Sequence, residues 1–168
     1  ILIIDCKDYI GLDEYLSFIS SVLEFICSTN EFLSIKRAGI RKFGMKLYED
    51  VEKINVDFER EYLNFDYRHK NYSTYRSRLE DTVLGYEPFL LINFIRTFQS
   101  GFVENEKTGD EEERFQVLLD LEGYYNEDMI EQMNFQKDIK GGLEQINNKH
   151  LFEMFKLITT QTFLNNSL

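Results

Sequence analysis

The sequence predicts an α+β fold, a mainly antiparallel sheet of about five strands with flanking helices that include a long C-terminal one. Strand-like stretches follow one another between residues 33 and 123, while apolar residues recur at three and four near both ends of the chain. The 168 residues are 43% hydrophobic with 15 Phe and 10 Tyr, enough to bury one core without metals or disulfides.

ILIIDC (1–6) is a dense β-type run and predicts a buried first strand. Residue 1 is Ile and the chain enters directly in this run, so the sequence is expected to be a single domain forming the C-terminal part of a longer chain. Leu12, Tyr15, Leu16, Ile19, Val22, Leu23 and Ile26 then repeat at helical spacing. Asp13 and Glu14 sit in the first turn, where the helix dipole favours acids, and a helix over 12–28 follows.

LSIKRAGIRKFGMKLY (33–48) reads as a strand in which Gly39 and Gly44 permit a bulge or a close backbone approach. Leu47, Val51, Ile54, Phe58, Tyr62 and Phe65 step by three or four, predicting a helix that Asn55-Val56-Asp57 can break. STYRSRLEDTV (73–83) sets Tyr75, Ser77, Leu79, Asp81 and Val83 against Arg76, Arg78, Glu80 and Thr82, the alternation of a strand near an edge with one wet face. Pro88 precedes FLLINFIRTFQSGF (89–102), a strand with Phe94, Arg96 and Phe98 on one face. ENEKTGDEEER (104–114) is a solvated hairpin loop leading into FQVLLDLEG (115–123), whose Phe115, Val117, Leu119 and Leu121 face one way. Asn126 can cap a short helix beginning at Glu127 and Asp128. Gly141 and Gly142 punctuate, and Leu143 to about Leu164 forms the final helix, with Leu143, Ile146, Leu151, Met154, Leu157 and Ile158 on its apolar stripe.

Nineteen basic against 30 acidic residues give a net charge of -11, which repels nucleic acid and anionic membrane unless positive charge is concentrated locally. The longest apolar run, PFLLINFI (88–95), is far shorter than the roughly 20 residues of a membrane span. The two cysteines, Cys6 and Cys27, suit reduced thiols in a cytoplasmic protein better than a disulfide framework.

The local concentration exists in 33–48, where Lys36, Arg37, Arg41, Lys42 and Lys46 stand without an acid. GIRKFGMK (39–46) fails as a phosphate loop: Met45 separates the glycine from the lysine, and Leu47 replaces the metal-binding hydroxyl. RKFGMKLY (41–48) shares Arg41, Phe43, Gly44 and Tyr48 with an RNA-stacking strand, but Lys42 and Met45 replace the expected glycine and aromatic. The simpler reading is a strand whose bases neutralise the chain's own carboxylates. Asp120 and Glu122, two apart, share a strand face where a divalent metal or a general base could be built, or where they answer Arg76, Arg78 and Arg96 across strands. Whether the basic strand and the Asp120/Glu122 strand are neighbours is left open by the sequence.

His69 and His150 lack Cys or His partners at metal spacing, no G-x-S-x-G elbow occurs, and no catalytic residue, metal or cofactor is assigned. Tyr62, Phe65, Tyr67 and Tyr72, interleaved with Arg68, His69 and Lys70, have the composition favoured at protein interfaces, or of packing beneath a long loop.

RAGIRKFG (37–44) resembles the R-x-G-L-R-Y-I-N strand, and VLLDLEGY (117–124) the L-L-D-I-D strand, of a sporadically distributed family of uncharacterised prokaryotic proteins. HLFEMFKLITTQTF (150–163) is similar to that family's closing helix. Lys42-Phe43-Gly44 departs from Tyr-Ile-Asn, and Glu122 from Asp. The resemblance implies a cytoplasmic prokaryotic protein and supplies no catalytic residues, with Arg37, Gly39, Arg41, Asp120 and Glu122 matching as features of the fold.

Together these readings favour a non-enzymatic binding or interaction module working through a partner protein or as a homo-oligomer, with nucleic acid and membrane disfavoured. The alternative is an enzyme or nucleic-acid-processing domain using a sheet face lined by Arg37, Arg41, Asp120 and Glu122. A catalytic site would gather these charges unpaired in a deep pocket; a structural role would pair them across strands.

Overall fold

A computed structural model describes residues 2–4, 11–30, 32–63, 75–84, 90–105 and 109–167. Its elements run α1 (Leu12–Thr29), β1 (Ala38–Tyr48), α2 (Val51–Asp57), α3 (Arg60–Leu63), β2 (Tyr75–Leu84), β3 (Leu91–Glu104), β4 (Glu111–Tyr125), α4 (Glu127–Gln132), α5 (Ile139–Glu144), a π-helical segment (Gln145–Leu151), α6 (Phe152–Ile158) and α7 (Gln161–Ser167). The strands form one antiparallel sheet in the order β1-β4-β3-β2. The fold is therefore α+β, as the alternating and helical periodicities predict.

The alternation of β4 sets the core. Phe115, Val117, Leu119, Leu121 and Tyr125 are buried on one face, and the register adds Ile92, Phe94 and Phe98 of β3 and Tyr48 of β1 to it. Every buried apolar side chain of the described strands lies on this face, which also carries helices. Gly123 on β4 marks the closest approach: a Cβ there would meet Ile146 at 2.9 Å and Leu151 at 3.1 Å, both from the π-helical segment. Antiparallel sheets commonly leave one face to solvent in this way.

Several elements differ from what the sequence predicts. The described part of the first stretch, Leu2–Ile4, forms no strand and Ile3 is 81% exposed, so the described sheet has four strands; residues 1, 5 and 6 lie outside the described residues. The basic strand begins at Ala38 rather than Leu33. Leu47 belongs to β1 rather than to the following helix, which breaks after Asp57 into α2 and α3. The break is held by backbone pairing: Phe58 bridges Thr159, Glu59 N donates to Ile158 O, and Thr160 N donates to Asp57 O. The same contacts end α6, so the final helix runs from Ile139 to Ile158 through the π-helical segment and α7 starts anew at Gln161. Gly141 and Gly142 lie inside it, where Gly142 makes room for the Phe135 ring, and Leu157 of the expected apolar stripe is 53% exposed. Asn126 does cap α4, its Oδ1 accepting from Met129 N at 3.0 Å. Among the described residues no helix is long and apolar enough to cross a membrane.

Candidate interaction surface on the open sheet face

The β1-β4 register answers the adjacency question that the sequence left open. Arg41 opposes Glu122 and Phe43 opposes Asp120, which puts the basic strand and the acidic one side by side with these side chains on the open face. Arg41 reaches diagonally to Asp120 in a two-point contact, Nε to Oδ1 at 2.7 Å and Nη2 to Oδ2 at 2.5 Å. The guanidinium and carboxylate forks match in shape, so this is a strong form of ion pair. The hydrogen bond and the charge of Asp120 raise the pKa of Arg41. Asp120 is 6% exposed, one of two buried residues the described strands place on the open face, with Thr97.

Arg37 donates to Glu122 Oε1 at 2.6 Å and stacks with its charge centre 3.7 Å from the centroid of the Tyr124 ring. Gly39 makes the strand approach possible, since a Cβ there would lie 2.7 Å from both Gly123 O and Tyr124 Cβ. Gly44 has no such role: β1 pairs without a bulge, and a Cβ at Gly44 would meet nothing within 4 Å. The polar row continues across the sheet, with Asn93 Nδ2 donating to Glu122 Oε2 at 3.1 Å and Thr82 Oγ1 donating to Asn93 Oδ1 at 3.0 Å. The four charged residues singled out in the sequence therefore come together as two pairs, and both Glu122 oxygens and both Asp120 oxygens are engaged. None of the four is left unpaired.

Arg96 departs from the expected lattice. It lies on the helix-bearing face and pairs with Asp81, whereas Arg76 and Arg78 share the open face with Asp120 and Glu122. Of the aromatic cluster, Tyr62 packs partly buried against the core; Phe65, Tyr67 and Tyr72 lie outside the described residues, as do Cys6 and His69. Tyr48 is 4% exposed on the face opposite Phe43, so the two cannot form a stacking platform together. His150 is half-buried and its Nε2 has no hydrogen-bond partner; burial, with the charge of neighbouring Lys149, lowers its pKa.

The alternation of β1 missed by sequence reasoning is the apolar one. Phe43, Met45 and Leu47 project from successive open-face positions at 63%, 57% and 60% exposure. The next strand continues the patch with half-buried Leu118, directly opposite Met45. The signal was present in the sequence as F-x-M-x-L, hidden among the bases. Around this strip the open face carries Arg37, Arg41, Arg76, Arg78 and Arg114 against Glu80, Glu112, Asp120 and Glu122. It is thus nearly neutral on a chain of net charge -11.

A shallow cleft of about 470 Å³ lies at the end of β1, lined by Lys46, Leu47, Tyr48, Glu49, Lys53, Val56 and Asp57. Asp57 accepts from Lys46 Nζ at 2.5 Å and from Tyr48 Oη at 2.7 Å. Burial and the Asp57 carboxylate both raise the pKa of Tyr48, the wrong direction for a phenolate base. Among the described residues no group of three or more His, Cys, Asp or Glu side chains is placed to hold a metal. Compared with known protein families, curated proteins and solved structures, the chain matches none.

Proposed function

We propose that the chain is a non-enzymatic protein-interaction module that engages a partner through the open face of its sheet. The observation carrying this reading is the strip of Phe43, Met45 and Leu47, three large apolar side chains each more than half exposed beside a near-neutral polar lattice. Exposed apolar surface rimmed by polar groups is the usual composition of an interaction site. The pairing of Arg37 and Arg41 with Glu122 and Asp120 supports it further, because the charges that an enzymatic reading would use are already engaged with one another. The same reading takes the chain as a cytoplasmic prokaryotic protein of the family it resembles.

The test is a photo-crosslinking side chain introduced at position 45, or at exposed Glu52 as control, in the native host. A discrete protein adduct from position 45 and none from 52 is expected; an adduct of twice the chain mass would make the partner a second copy. The absence of any position-45 adduct, with the protein folded and expressed, would overturn the reading.

A further inference from the structure

Helix α1 has a second apolar face that its own fold does not cover. Leu16 and Ser20 are buried, and Leu12, Ile19 and Leu23 pack against the core beside them. Phe18 and Phe25 stand two turns apart on the opposite side, 60% and 68% exposed. The ends of the helix extend this face. Tyr15 Oη donates to Ile4 O at 3.1 Å, which brings exposed Leu2 and Ile3 to the first turns, and a turn at Asn30 sets Phe32, 95% exposed, and Leu33 beyond the last. At about 200 Å² for a fully exposed large apolar side chain, these six leave on the order of 700 Å² to solvent along one helix. Single chains rarely show an apolar patch beyond about 300–600 Å², whereas a standard-size interface takes about 800 Å² from each partner.

The polar groups of this face are already satisfied. The Ser17 and Ser21 hydroxyls donate to Asp13 O and Ser17 O, and those of Ser28 and Thr29 donate to Phe25 O. Covering the face would therefore leave none of these donors unmet. Charge is sparse as well. From Tyr15 to Asn30 the chain has one acid, Glu24, and no base, although 29% of its residues are charged. Such a face cannot select a partner of opposite sign, and on a chain of net charge -11 it lets two copies approach with little repulsion.

We propose that α1 is a dimerisation helix, packed antiparallel against α1 of a second copy across a two-fold axis. With the axis between Ser21 and Val22, Phe18 of each copy meets Phe25 of the other, and Glu14 meets Thr29 rather than another acid. The two-fold makes the patch self-complementary and brings the area buried by both copies to roughly 1,400 Å², within the range of specific interfaces. The small Ser21 at the axis suits the 8–10 Å separation typical of packed helices. Because α1 packs against α5 on the helix-bearing side, the open sheet face with Phe43 stays free in both copies. The two surfaces are thus independent.

Sedimentation equilibrium of the 168-residue chain from about 1 to 100 μM should give twice the chain mass at the upper end. Phe25→Glu places a charge in the patch from an exposed position and should give the single-chain mass with an unchanged far-UV CD spectrum. Phe18→Ser, a milder change, should raise the dimer dissociation constant about tenfold or more. Phe43→Glu, on the open sheet face, should leave the dimer intact, which separates this interface from any partner held there. A single-chain mass throughout the range, dimers undiminished in both the Phe25→Glu and Phe18→Ser proteins, or dissociation by Phe43→Glu would each overturn the proposal.

Discussion

The two faces of the sheet resolve their charges in opposite ways. On the open face Arg41 and Arg37 close onto Asp120 and Glu122, beside an exposed apolar strip of Phe43, Met45 and Leu47. On the helix-bearing face most apolar side chains are packed, and among the described residues Lys42 has no acidic partner and the Arg96 Nε–H no hydrogen-bond partner. One strand supplies both the apolar strip and Lys42, because β1 alternates and sends Arg41, Phe43 and Met45 one way and Lys42, Gly44 and Lys46 the other. A basic run in an acidic chain is therefore not one patch, and its members have to be assigned face by face.

The sharpest way to break this contrast is to truncate an aromatic on each face. Phe98→Ala, at a 2% exposed position stacked on Phe115, should cost about 3–5 kcal/mol in urea unfolding, while Phe43→Ala should stay within about 0.5 kcal/mol. Equal costs would mean that the open face is core. Gly39→Ala comes next. Its Cβ would fall 2.7 Å from Gly123 O and Tyr124 Cβ, so strands β1 and β4 must shift, at about 1–3 kcal/mol; Gly44→Ala, in open space, should leave stability nearly unchanged.

The alkaline pH dependence gives a smaller effect with two opposed signs. Burial lowers the Lys42 pKa below 10.5, so between that lowered value and 10.5 the unfolded chain holds more protons and stability rises with pH. Burial pushes the Tyr125 phenol up to about 12, so its contribution is complete below pH 10 and is lost as pH rises from 10 towards 12. Lys42→Gln should flatten the first limb and leave the second, as read from urea midpoints at closely spaced pH values. A first limb that survives the substitution would place the titrating group elsewhere.

Much of the fold is legible in the sequence because burial on one face imposes strict alternation: Phe115, Val117, Leu119 and Leu121 mark β4, and Tyr75 to Val83 mark the edge strand β2. Composition alone misleads at ILIIDC, where β-type residues are present but Leu2–Ile4 stay out of the sheet. Leu47 fits a helical step and a strand alternation equally well, and pairing with Gln116 decides for the strand. The site residues Arg37, Arg41, Asp120 and Glu122 stand out by charge type, but their partnership depends on β1 pairing with β4 rather than with its neighbours in sequence, a long-range choice that local periodicity does not encode. That Lys42 meets no acid among the described residues follows from the same choice, and is visible only once the other four bases have found acids.

Most of the basic run serves the fold, and a double-mutant cycle between Arg41→Ala and Asp120→Asn, read by urea unfolding, tests that most directly. Because the Arg41 side chain is 62% exposed while that of Asp120 is 8% exposed, the coupling should lie between surface and buried ion pairs, at about 1–2 kcal/mol. A coupling within about 0.3 kcal/mol of zero would contradict this role and return Arg41 to the pool of charges free for a ligand.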